Sequence, residues 1–170
     1  MGILLIVPVL ILRYGWMRIL NPQLLPYAAI FPHGEGRDEW KTKLNAWIVN
    51  GIIFSPILTR IQGSFFGWLI YGAGLLVIGV AVSGFSKRNS VGFCDQGIYR
   101  RSRNPMYLGY VLAFLGTGLL IQAWFYWIFF IPFVLTLPAV IEAEEQWCLR
   151  EYGASYQAYM AHVSRYWGRS

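Results

Sequence analysis

The sequence predicts an all-α integral membrane protein with four to five transmembrane helices, a C-terminal helical hairpin and a cytoplasmic amphipathic tail helix. Three observations carry this expectation. Hydrophobic residues make up 56% of the chain and charged residues 13%, against roughly a quarter charged in soluble domains. The apolar residues lie in long uninterrupted runs, as a bilayer requires and a water-soluble core does not. Eight Trp and eleven Tyr suit aromatic belts at the two membrane interfaces.

The runs are taken in chain order. Residues 3–12 form a short apolar run that Arg13 interrupts. It spans only if the helix continues past Arg13 towards Leu20, with Arg13 and Arg18 snorkelling to the interface. Residues 44–59 contain Asn45 and Asn50 but no charge, and span if the helix extends back to Trp40. Residues 65–85, 105–121 and 123–141 are uncharged and close to the roughly 20 residues needed to cross the hydrocarbon. Only Gln122 separates the last two, so they are joined as a helical hairpin over 105–141. Pro132 and Pro138 are candidate kinks in its second arm. Gly109, Ala113 and Gly116 recur at i, i+4 and i+7 on its first arm, a small-residue face for close helix contact.

Orientation follows from the basic residues. With the 60–64 loop and the hairpin tip outside, Arg60 alone of the 14 Lys and Arg is external. The same bias explains the net charge of +6 without nucleic acid, because the cations sit at the ends of apolar runs and form no separate basic domain. Cys94 and Cys148 belong to no CxxC pair, and both fall on the side where thiols stay reduced. Those two with His33 and His162 make no metal-ligand spacing. No basic stretch precedes the first apolar run, so a cleavable signal peptide is not expected.

Two polar segments fall on the same membrane face: 86–104, which joins two runs, and the tail 142–170. The hairpin brings them together, and a site between them is expected. In the first, Asn104 and Pro105 start a helix as N-cap and first-turn residue. A helix N-terminus attracts anions, and Arg103 stands beside it; Arg100 and Arg101 serve topology equally well. In the second, Glu142, Glu144 and Glu145 follow an apolar run directly, as a solvated helix start or as a site for a cationic ligand. Glu145, Leu149, Tyr152, Tyr156, Tyr159 and Val163 then form one stripe of an amphipathic helix, the usual mark of packing. Gly153 interrupts it at modest cost.

The run Gly97-Ile-Tyr-Arg-Arg-Ser-Arg-Asn-Pro-Met-Tyr-Leu-Gly109, with the tail pattern from Glu144-Glu145 through Tyr152-Gly153, Tyr156 and Tyr159 to Arg165, resembles the isoprenylcysteine carboxyl methyltransferase family. The resemblance covers roughly the C-terminal 100 residues. It implies a single membrane methyltransferase domain over 1–170, in which 1–85 supplies N-terminal transmembrane helices and 86–170 binds the cofactor. That cofactor would be S-adenosylmethionine, and the acceptor a lipid-like or small apolar molecule. It further implies one cofactor wall of Gly97, Tyr99, Arg103, Asn104, Pro105, Tyr107 and Gly109, and another of Glu144, Glu145, Tyr156 and Arg165, with Arg103 and Glu145 catalytic. Two positions depart from the common prenylcysteine pattern: Asn104 stands where that pattern has His, and no Pro follows Arg165. The Asn-Pro-Met-Tyr form is instead similar to bacterial members and to phospholipid N-methyltransferases, which implies a bacterial inner membrane, and the distribution of Lys and Arg puts the expected site on the cytoplasmic side. A sterol reductase-like NADPH enzyme and a non-catalytic membrane scaffold share parts of the pattern and are the alternatives.

Overall fold

The computed structural model describes residues 1–24, 39–88 and 92–167. His33, named above as a weak metal candidate, lies outside them. The described residues are helical and contain no strand. Five principal helices account for them: α1 Gly2–Leu20, α2 Glu39–Phe54, α3 Phe65–Phe85, α4 Pro105–Ile121 and α5 Trp127–His162.

Among the described residues, α1, α3 and the helix that contains α5 are long and apolar enough to cross a membrane. The 17 residues of α4 span about 26 Å at 1.5 Å each, slightly less than the hydrocarbon core. The 16-residue α2 begins with charged residues before its apolar stretch. The first helix does continue past Arg13 to Leu20, although not as a uniform α-helix: 3-10 geometry opens it and a π-helical turn occupies Ile11–Trp16. Arg18 is exposed, but Arg13 does not snorkel outward; it turns inward over the ring of Tyr110 on α4. Leu4, Ile11, Leu69, Leu76, Ile131 and Leu135 are exposed on these helices, an apolar surface that lipid covers and water would not.

Backbone contacts mark one end of the bundle. Gly2 N–H donates to Thr59 O at 2.9 Å, and Gln62 N–H to Leu120 O at 2.8 Å. The N-terminus, the 59–62 loop and the hairpin tip therefore share an end, and the segments after α3 and α5 belong to the other. The hairpin tip turns at Gln122, the one described non-glycine residue with positive φ (50°).

The hairpin arms are not the tightest pair. α4 packs chiefly on α3, and α5 on α2. The small-residue face of α4 explains the first pairing. A Cβ added at Gly109 would come within 2.7 Å of the Ile78 side chain, and one at Gly116 within 2.5 Å of Tyr71 N. Backbones this close gain dispersion contacts that bulkier side chains would prevent. The second pairing is keyed by a buried hydrogen bond from Asn45 Nδ2 to Thr136 Oγ1 at 2.8 Å. Neither Pro132 nor Pro138 breaks α5. The interior residue with non-helical backbone is Gly153, at φ 54° and ψ −132°, a region that only glycine enters readily.

Candidate active site

The break at Gly153 decides the site. Glu145 and Arg165 are 20 residues apart, a separation of about 30 Å along an unbroken helix. Instead the chain turns at Gly153, leaves the helix at Val163 in extended conformation and returns, so that Arg165 Nη2 lies 2.9 Å from Glu145 Oε2. The stripe expected on one straight helix is thus folded over the 92–104 segment. Phe93 fills its concave side, with ring centroids 5.4 Å from Tyr152 and 5.5 Å from Tyr156 and Tyr159. Tyr159 Oη donates to Tyr99 O at 2.7 Å and Tyr152 Oη to Gly92 O at 3.3 Å.

Glu145 ties this arrangement together. Its side chain is 2% exposed. Oε1 accepts from Arg103 Nε and Asn104 Nδ2, both at 3.0 Å, and Oε2 from Arg165 Nε at 3.0 Å. Arg103 is equally engaged: Nη1 donates to the carbonyls of Met160 and Val163 at 2.9 Å, and Nη2 to Glu145 Oε2 at 3.4 Å. Four of its five N–H donors are therefore directed at protein acceptors. A buried carboxylate between two guanidinium groups is a stable arrangement only while all three remain. Asn104 starts α4, yet its side chain makes no cap hydrogen bond; it is drawn to Glu145 and to Arg165 O.

Glu144, one residue earlier, faces a cavity. Its Oε1 accepts a hydrogen bond from Tyr107 Oη. Burial pushes its carboxyl up to about 7; Tyr107 and Arg13 oppose the shift and Glu145 adds to it. The cavity lies between α1, α4, the 92–104 segment and the folded tail. Of the expected site residues, Tyr99, Arg103, Asn104, Pro105, Tyr107, Glu144, Glu145 and Tyr156 line it. Three do not. Gly97 is exposed at φ 60°, Gly109 is committed to the contact with α3, and Arg165 reaches the site only through Glu145.

Sequence reasoning missed other lining residues, including Arg13, Arg88, Phe93 and Tyr110. Phe93 lay in a segment read for charge, and Arg13 in a helix read for span. Cys94 and Cys148 also line the cavity, and burial pushes both thiols up, Cys148 to about 12. Neither is an activated nucleophile. Among the described residues no group of three or more His, Cys, Asp or Glu is arranged for a metal.

The lining offers one carboxylate outside the Arg103–Glu145–Arg165 network, several aromatic faces and guanidinium groups. Such a wall suits a ligand carrying both a cationic and an anionic group. No individual curated protein and no solved structure matches the chain. Residues 80–155, which run from the last turns of α3 to just past the break at Gly153 and hold most of the cavity wall, are similar to the phospholipid methyltransferase family.

Proposed function

We propose that this protein is a membrane methyltransferase that binds S-adenosylmethionine in the cavity and transfers its methyl group to a lipid-like acceptor. The observation that carries the reading is the enclosure of Glu144 and a ring of aromatic faces by the two segments that resemble this enzyme class, over the region similar to phospholipid methyltransferases. The lining fits the cofactor. Glu144 offers a carboxylate to a ligand ammonium or sulfonium, and Tyr107, Tyr110 and Tyr156 offer π faces to a cation or an adenine.

S-adenosylmethionine supplies an electrophilic methyl group on sulfur. The chain's own contribution is alignment and exclusion of water, which lower the barrier by holding two reactants in one geometry. Arg103 and Glu145 act in this reading as positioning residues. They hold the tail against the 92–104 segment and so shape the cavity, in place of the catalytic roles that the resemblance implies. The distribution of basic residues supports a cavity that faces the cytoplasm.

Two acceptor classes are compatible with this arrangement: a carboxylate of the isoprenylcysteine type and a phospholipid amine. The family similarity and the Asn-Pro-Met-Tyr sequence favour the amine. An amine acceptor must lose a proton whereas a carboxylate need not. Glu144 is the cavity carboxylate outside the ionic network, and it is placed to receive that proton.

Calorimetric titration of S-adenosylmethionine into the detergent-purified protein tests the proposal, followed by transfer of a labelled methyl group to extracted membrane lipids. Micromolar binding that falls at least about tenfold in Glu144→Gln is expected. A folded protein that binds no S-adenosylmethionine overturns the reading. A labelled headgroup amine identifies the acceptor as a phospholipid, and a base-labile methyl ester identifies a carboxylate.

A further inference from the structure

We propose that Arg13, on the first helix, is a positioning residue that holds the charge on Glu144 in the cavity, at the end of a line of aromatic contacts joining α1, α4 and α5. Residues 80–155 carry the family similarity, and Arg13 lies outside them. What an ionised Glu144 does for methyl transfer rests on the function proposed above; the coupling of Arg13 to Glu144 does not.

A charge inside an apolar helix is costly and turns to the protein interior or to a partner. Arg13 does so from the π-helical turn Ile11–Trp16. Its guanidinium stacks over Tyr110 on α4, 5.2 Å from the ring centroid. The Tyr110 ring meets the Tyr107 ring edge-on, with centroids 6.3 Å apart, and the Tyr107 phenol donates to Glu144 Oε1. All four side chains line the same cavity. The Arg13 guanidinium is already engaged by the Tyr110 phenol and by the field of Glu144, so its influence on a ligand passes through Glu144.

The other titratable groups around Glu144 are Glu145 and Cys148 on α5, Tyr107 and Tyr110 on α4, and Tyr99 on the 92–104 segment. Glu145 is bonded to Arg103 and Arg165, and thiols and phenols are largely uncharged near neutral pH. Two further arginines line the cavity. Arg103 is held by Glu145. Arg88 stacks on Phe85, 5.0 Å from the ring centroid, and its charge acts on Cys94 and Cys148. Arg13 is the cation that favours the ionised form of Glu144, against the burial that opposes it. That balance sets how strongly the cavity attracts a cationic centre.

Infrared titration of the full-length protein in detergent, from about pH 5 to about pH 9, tests the coupling. The band of the protonated Glu144 carboxyl is the one missing from Glu144→Gln. Its midpoint is compared in wild type, Arg13→Met, Arg13→Gln and Arg13→Lys, each read only if it melts as wild type does. Loss of the cation should move the midpoint upward by about one pH unit, and Arg13→Lys should restore it. A neutral variant whose carboxyl titrates as wild type does overturns the proposal. So does an equal upward shift in Arg13→Lys, which would mark lost packing rather than lost charge.

Where neither neutral variant melts as wild type does, wild type itself decides. With arginine isotopically labelled in the guanidinium, its absorption should change at the Glu144 midpoint and lose that change in Glu144→Gln; no change in wild type overturns the coupling. S-adenosylmethionine affinity over the same pH range separates the two readings. A carboxyl midpoint moved by Arg13→Gln, in a protein whose wild type binds no S-adenosylmethionine, upholds the role of Arg13 and removes the methyl-transfer reading.

Discussion

Glu144 and Glu145 are adjacent, chemically identical and attached to the same helix, yet they belong to different regions of the molecule. Glu145 is held by Arg103, Asn104 and Arg165, which occupy both of its carboxylate oxygens. Glu144 is turned about 100° around the helix axis, meets one phenol from α4 and lines the cavity. In one region a charge is neutralised within the fold, and in the other it is presented at reduced strength. The contrast teaches that a paired-Glu motif is not a single structural unit: one residue ties the segments together and the other faces the cavity.

Removing Glu145 should have the largest effect. Glu145→Ala leaves Arg103 buried without its counter-charge, which costs about 3–5 kcal/mol. Unfolding of the detergent-purified protein by heat or denaturant measures the loss, and a stability equal to wild type would sink the assignment of Glu145 as the structural member of the pair. Next comes the turn that brings Arg165 back. Gly153→Ala forces a side chain into a backbone region it rarely occupies, at φ 54° and ψ −132°, at a cost of order 1–3 kcal/mol. Limited proteolysis should then cut the tail beyond residue 153 faster, and an unchanged digestion pattern would show that the return of the tail does not depend on this glycine.

Glu144→Gln should separate the two regions. It keeps an acceptor for Tyr107, so stability should change by less than about 1 kcal/mol, while affinity for a cationic ligand falls. The same residue sets the pH dependence. Its carboxyl is raised from an ordinary 4.5 to about 7, so the folded protein holds this proton more firmly than the unfolded chain does. The stability it contributes is complete below about pH 4.5 and is lost as pH rises through about 7. Ligand binding runs the other way, because the ionised form is the one that attracts a cation. Affinity should fall as pH drops from 8 to 6, and Glu144→Gln should flatten that profile. The charged groups facing Glu144 are Arg13 from α1 and Glu145 on α5. A modest effect, on stability alone, is expected at Tyr159→Phe, which removes one hydrogen bond to Tyr99 O and should lower the melting temperature by the equivalent of about 1 kcal/mol.

Much of this organisation was legible in the sequence. The uncharged run at residues 65–85 is a helix with the same bounds, and the run at 105–121 is likewise helical from Pro105 to Ile121. The two polar segments that the hairpin brings to one face do meet, through Arg103 and Glu145. Three features were not legible. Gly153, read as a modest propensity cost, is where the backbone leaves the helical conformation and the tail turns. Arg13 read as an interfacial snorkel because a sequence shows the cost of a charge but not which face of a helix carries it inward. Asn104 read as a cap, but its side chain is drawn to a stronger acceptor 41 positions away.

Composition, the length of the apolar runs and the distribution of Lys and Arg determined that this is a helical protein built for a bilayer, because those properties act through local backbone hydrogen bonding and transfer from water. The tertiary structure alone decided which of two adjacent glutamates is a structural tie, which arginine faces the cavity and where the tail turns back. Those outcomes depend on competition among charged partners distant in sequence, and each is settled by which pairings the packed helices allow to be satisfied together.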